Sequence, residues 1–368
     1  MAGIRHHILP RFLLKGFASR LDGDKVFTWV YRKQDKPFEA STKDISVAKH
    51  FYGKDGDINV DSEITDMEGG YSSLVDELRN VNEQTEIFVL QVPEFITHLT
   101  VRTKHLRDSF RESSEFLIEK LYEHYSDFNN LKGLFQRNPE LLRETVEKEF
   151  KDSSLSQYQM NELIYRARLL LPSLLEQNKT ELQLMFQRIF SGIRMRVPTM
   201  VKEGHIKALA KSLVPEPRVD DYRSLHWFVG KSEAPFVLGD FGCMFEIDAA
   251  RRFRTFNNED DPIKNIFLPL SSNQILVGTS LPTVPMIDGK VINYATVKCC
   301  REFFLSSEPS PVFDGLTSLM GEESEIISKE ELEAIVTELF DSPNNPKVTG
   351  VKKSHGGKRS KKKRRERR

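Results

Sequence analysis

What restricts this chain most is a change of hydrophobic period along it. Between about Pro93 and Ser212 apolar residues recur every three or four positions; on either side, short β-branched and aromatic runs alternate with Gly, Pro, Asn and Asp. A period of 3.6 suits helices and a period of two suits strands. The pattern therefore predicts an α+β protein with strand-rich N- and C-terminal parts around a helical central region, and a disordered basic C-terminal tail.

The opening reads as a short helix after Pro10, carrying Phe12, Leu13 and Phe17 and ending at Gly16 and the Asp22-Gly23 turn. Lys25 to Tyr31 and Phe38 to Val47 read as strands. Ser62 to Leu78 reads as an amphipathic helix with Ile64, Met67, Tyr71, Leu74, Val75 and Leu78 on one face, weakened by Gly69 and Gly70 at up to ~1 kcal/mol each. Pro93 opens a central helix. Others are expected over Phe116 to Phe128, Pro139 to Lys151, Gln157 to Leu171 and Ser173 to Arg196, with Pro139 and Pro172 as starts or breaks. After Pro217, strands are expected at Leu225 to Gly230, Phe236 to Gly239, Met244 to Asp248, Phe253 to Phe256, Ile266 to Leu270 and Gln274 to Thr279. Val291 to Phe304 and Lys329 to Phe340 return to helix. The two strand-rich ends are expected to share one sheet. The organisation read from this is one α+β domain over residues 1–307, with its helical centre at about 93–212 and its strand-rich part at about 222–280. A short helix and linker over 308–350 and the disordered tail over 351–368 follow.

Charge divides the chain unevenly. Its 54 Lys and Arg balance 54 Asp and Glu, yet residues 351–368 hold 11 basic residues against one acid, a net +10 that leaves 1–350 at −10. Lys358, Arg359, Lys361, Lys362, Lys363, Arg364 and Arg365 are the expected RNA or DNA contacts, through a salt-sensitive, sequence-independent attraction to phosphates. The rival reading docks this solvated run on the protein's own acidic body. No stretch of about 18 apolar residues exists, so no membrane span is expected. Three cysteines, Cys243, Cys299 and Cys300, suit a reducing cytoplasmic setting and supply neither a disulfide framework nor a zinc cluster. The absence of a Walker loop, a dinucleotide-binding glycine motif, a His-Glu-x-x-His pair and a Gly-x-Ser-x-Gly elbow removes the matching enzyme classes.

The most unusual local cluster is His6-His7-Ile-Leu-Pro10, where one imidazole of the pair would face a site and the other pack. From this opening the chain resembles an uncharacterised bacterial domain-of-unknown-function family that begins His-His-x-x-Pro-x-x-x-Leu-x-x-Phe. The similarity continues through Val47-Ala48-Lys49-His50-Phe51-Tyr52, the helix around Ile64 to Glu68, Phe95 to Thr103 with Arg102, Trp227, Phe236 to Asp240, Phe267 to Ser271 and Asn293 to Phe304, covering about residues 5–307. Gly239 stands where relatives carry a small hydroxyl residue and Gly242 where proline is common. The resemblance implies a soluble bacterial protein of undetermined activity, with a role in phage defence among those suspected.

The polar residues of these blocks suggest a site. His7, Glu68 and Asp240, if the far strands fold over the opening, would form a catalytic set with Arg102 on a phosphodiester, and His6, His7 and Asp240 would ligate a divalent Mg, Mn or Zn. The function expected is a metal-dependent nuclease or phosphodiesterase. The alternatives are a non-catalytic RNA-, DNA- or nucleotide-binding protein and a protein-binding adaptor or sensor. His98 and His105 fall on one helical face with Arg102; the flanking leucines and phenylalanine favour hydrogen-bonded packing histidines there, and an anion-binding face is the rival reading. The plainer reading makes Asp240 a turn residue, Arg102 the partner of a buried acid and Cys243 a small buried hydrophobe.

Overall fold

The computed structural model describes residues 5–53, 60–81, 86–249, 252–258, 261–283 and 285–341. The basic tail and its expected contacts, Lys358 to Arg365, lie outside the described residues. The protein is α+β, with sheets at both ends of a helical middle. The described residues form two compact units, those of 1–118 with 191–328 and those of 119–190 with 329–341. The boundaries fall inside two helices, Lys104–Ser126 and Lys179–Lys211, whose unbroken periodicity conceals them.

The first unit holds the sheets. The run Lys25–Tyr31 is a strand, as its β-branched and aromatic content requires, and it pairs with Arg20–Asp22, Phe38–Ser41 and Phe304–Ser306. Leu238–Gly239 extends this five-stranded sheet, so part of each chain end does share a sheet. Five further C-terminal strands and one from before the helical middle make an antiparallel six-stranded sheet, ordered Phe253–Arg254, Met244–Ile247, Ile263–Pro269, Gln274–Thr279, His226–Lys231 and Glu86–Ile87. Gln274–Thr279 is buried at every residue, which is why its sequence runs apolar instead of alternating. Arg5–His7 pairs separately with Val47–Lys49.

The helix Val60–Arg79 buries Ile64, Tyr71, Leu74, Val75 and Leu78, the face read from spacing. Its last residue anchors it: the Arg79 guanidinium donates to the Leu270 carbonyl at 2.7 and 3.0 Å and to the Phe12 carbonyl at 3.0 Å. This ties the opening segment to helix and sheet. The central helix expected from Pro93 is two helices, Gln91–Val101 and Lys104–Ser126. The chain leaves helical geometry at Arg102 (φ −105°, ψ 6°), so His105 turns away from the face shared by His98 and Arg102. The helix Gly289–Cys299 ends before Phe304, which is a strand residue, because Cys300 is already extended.

The second unit is helical within the described residues. Pro139 starts a helix as expected, but Pro172 does not break one: Gln157–Gln177 runs through it. The carbonyl that loses its donor belongs to Arg168, an exposed residue, so leaving it unpaired within the helix does not bury it. Ser156 and Gln159 form a capping box at this helix's start, and Tyr122 stacks on Phe186 with ring centres 5.9 Å apart.

Candidate functional site

Four sequence blocks converge in the first unit. Alternation along Arg5–His7 points the two histidines apart. His6 is buried, stacks on the Tyr52 ring at 5.4 Å and accepts the Tyr52 backbone N–H at Nδ1 (2.9 Å); its Nε2 faces Asp61 Oδ1 at 4.0 Å. It is an orienting residue for the segment that follows. His7 is only partly buried, its Nδ1 has no hydrogen-bond partner among the described residues, and its carbonyl accepts the Tyr52 hydroxyl at 3.4 Å. Burial, then the charges of Arg11, Arg5 and Arg102, lower its pKa to about 4, opposed by a hydrogen bond with the Ile45 backbone. His7 is therefore a neutral imidazole in a positive field.

Arg102 contributes least to that field, but at 0% exposure it is the largest fully buried side chain among the described residues. Its Nη2 lies 2.5 Å from Glu68 Oε1, whereas Nε and Nη1 have no hydrogen-bond partner among the described residues. Helical phase explains Glu68, which follows Ile64 by four residues and precedes Tyr71 by three, at the edge of the buried face. His98, four residues before Arg102, is also fully buried, neither ring nitrogen has a hydrogen-bond partner among the described residues, and its ring lies 5.2 Å from Tyr71. Burial and the Arg102 charge push it down to about 2. A second cation backs the group. Arg107 donates to His205 Nδ1 and to the Phe51 carbonyl, both at 2.9 Å, and covers the Phe51 ring at 3.5 Å. His205 Nε2 in turn donates to the Val101 carbonyl at 2.8 Å, so this histidine is a neutral strut.

Of the residues expected from sequence, Glu68 meets Arg102, the Arg102 charge reaches His98 and His7, and Asp240 is held elsewhere. The Asp240 carboxylate instead takes the backbone N–H groups of Arg301 (3.1 Å), Glu302 (2.5 Å) and Phe303 (3.4 Å), fastening the turn before Phe304–Ser306. Burial, with Glu302 nearby, raises it to about 6. The expected ligand set of His6, His7 and Asp240 is thus divided: His6 is occupied by Tyr52, and Asp240 by a backbone turn. Among the described residues no three His, Cys, Asp or Glu side chains are grouped to hold a metal ion.

The two glycine departures have local causes. A side chain at Gly239 would press on the Phe241 ring and Cys300 Sγ, and Gly242 has φ +80°, which proline cannot adopt. Cys243 is buried and its thiol is pushed far up by burial, so it packs as a small hydrophobe. Sequence reasoning passed over Arg107 and His205. Their pairing spans 98 residues, and no local pattern carries it.

Chemically, the group offers a guanidinium with free donors and neutral imidazoles, neutralised in part by one carboxylate. Such an arrangement suits an oxyanion better than a cation. No curated protein and no solved structure matches the chain. A family model described as a protein of unknown function, DUF4238, matches residues 5–289, which include His7, Glu68, His98 and Arg102. With most of its length inside that match, the chain belongs to the DUF4238 family of proteins of unknown function.

Proposed function

We propose that this protein recognises a phosphate group carried by a nucleotide or nucleic acid at the Arg102 group. The observation that supports this reading is the wholly buried guanidinium whose Nε and Nη1 have no hydrogen-bond partner among the described residues, beside the unpartnered nitrogens of His98 and His7. A buried donor without an acceptor costs about 1–3 kcal/mol, more when charged, and a bound oxyanion removes that cost. The residues 351–368, at net +10, add long-range attraction to the same class of ligand. Among the described residues no helix is long and apolar enough to cross a membrane, and three buried cysteines outside any disulfide suit a cytoplasmic setting.

The test is fluorescence anisotropy of labelled RNA and DNA 12-mers with the full chain. His7→Gln, at a partly exposed residue, weakens binding about tenfold without lowering the melting temperature. Deleting 351–368 lowers the salt slope by several phosphates' worth. Affinity and slope unchanged in both variants refute the proposal.

A hydrolytic reading rests on His7, which stays neutral near pH 7 beside Arg102. A water or 2′-hydroxyl oxygen attacks phosphorus, His7 takes its proton, and the leaving oxygen departs with a proton from solvent, Arg102 bearing the developing charge. Cleavage that survives His7→Ala excludes it.

A further inference from the structure

A cavity of about 460 Å³ lies in the first unit, bounded by Ile8, Val30, Ile45, Val47 and Phe303, with Asp240 and His105 among its lining. Arg102, His98 and His7 are not part of that lining. Its volume falls within the range of small-molecule sites, about 300–1,000 Å³. Two residues of its lining, His105 and Asp240, each carry an acceptor atom with unused capacity. His105 is 4% exposed, and its Nε2 meets the Ser324 carbonyl, which can only accept; the ring proton is therefore on Nε2. Nδ1 is left as a buried lone pair without a hydrogen-bond partner among the described residues. Burial and the nearby Arg301 hold this ring near pKa 3, so it stays an acceptor throughout the neutral range.

Asp240 supplies the other acceptor. Its Oδ2 takes the backbone donors of residues 301–303, whereas among the described residues Oδ1 takes only a long 3.4 Å contact from the Arg301 N–H. Part of its surface remains open although the residue lies deep in the unit. The cations of the lining are largely engaged: Lys104 with Asp108 and Glu302, and Arg301 with Glu112 at 2.9 Å. Acids in the lining, Asp44, Asp108, Asp240 and Glu302, outnumber Arg32, Lys104 and Arg301. Apolar walls with unfilled acceptors select a flat ligand that donates, the reverse of the preference at Arg102.

We propose that this cavity binds a small planar ligand presenting adjacent N–H donors, the chemistry shared by guanidinium compounds and by the amino edge of guanine. The two donors meet Asp240 Oδ1 and His105 Nδ1, and the plane lies between the aliphatic walls. This assignment stands independently of the Arg102 reading.

The experiment titrates the full chain with methylguanidinium, guanosine and inosine, followed by methyl NMR of the isoleucine and valine residues and by calorimetry. Saturable shifts at Ile8, Ile45, Val30 and Val47 are expected with methylguanidinium, with guanosine, or with both; which of them saturates identifies the source. Inosine, which lacks the exocyclic amino group, binds about tenfold more weakly than guanosine if guanosine is the ligand. Asp240→Asn weakens binding about tenfold. Should that variant fail to fold, Phe38→Ala, at a 39% exposed lining residue, weakens binding while leaving the turn at 301–303 intact. Methyl signals unmoved by methylguanidinium and guanosine up to 10 mM, or equal responses to guanosine and inosine without any response to methylguanidinium, overturn the proposal.

Discussion

Replacing Glu68 with glutamine removes the one acid that, among the described residues, contacts the Arg102 guanidinium, and should leave the rest of the fold in place. Arg102 is 0% exposed, Glu68 is 22% exposed, and they meet at 2.5 Å. Breaking a buried pair by deleting one partner costs about 3–5 kcal/mol, because the remaining charge stays desolvated; the partial exposure of Glu68 places the expected loss near the lower end, about 3 kcal/mol. For a unit of roughly 250 residues that is a fall in melting temperature of about 6–12 °C. Both tryptophans, Trp29 and Trp227, lie in this unit, so their fluorescence follows its unfolding. Arg102→Met removes the stranded charge, and the double variant should recover at least about 2 kcal/mol relative to the sum of the single losses. Inorganic phosphate at ten times its dissociation constant should restore about 1.4 kcal/mol to Glu68→Gln, since the anion then answers the guanidinium alone. A Glu68→Gln protein melting within 2 °C of the parent, or a cycle additive within about 0.5 kcal/mol, refutes the reasoning.

Acid should weaken the fold in a calculable way. His7 and His205 have folded pKa values near 4 against 6.5, so the stability they contribute is intact above 6.5 and lost as pH falls, about 1.8 kcal/mol each between pH 7 and 5. Asp240, raised from 3.8 to about 6, acts oppositely: its ionisation costs stability above 6, and acidification relieves about 1.3 kcal/mol over the same interval. Asp240→Asn should therefore steepen the acid loss by that amount in urea titrations at pH 7 and pH 5; an unchanged difference counts against the raised value. Gly16→Ala should cost about 1–3 kcal/mol, read from the urea midpoint, because the added methyl lands on the Leu270 carbonyl and the Arg79 guanidinium. Gly70→Ala, inside the helix Val60–Arg79 with nothing within 4 Å of the new methyl, should instead stabilise by about 0.5–1 kcal/mol. A destabilised Gly70→Ala would mean that the helix is held by contacts other than the buried face described above.

Much of the local structure was legible because it answers to local rules. Lys25–Tyr31, Gln274–Thr279 and the face of the helix at Ile64, Tyr71 and Leu74 follow from period and side-chain shape, and Pro139 opens its helix as its missing N–H requires. Where solvation or backbone geometry intervened, local rules gave the wrong boundary. Pro172 sits inside a helix because the carbonyl it leaves unpaired lies on an exposed residue. The face shared by His98, Arg102 and His105 is broken at Arg102 by a backbone that leaves the helix for two residues.

What the sequence alone determined is the α+β class, the uneven charge, the pairing of one inward and one outward histidine at the opening, and the candidacy of His7, Glu68 and Arg102. These depend on side-chain chemistry and on spacing within a turn or a pleat. Only the tertiary structure decided that Glu68 meets Arg102, that Arg107 meets His205 across 98 residues, and that Asp240 belongs to a cavity beside His105. Long-range pairing of buried polar groups is selected by which atoms desolvation leaves without partners, and that depends on the packing of whole elements, which no short stretch of residues encodes.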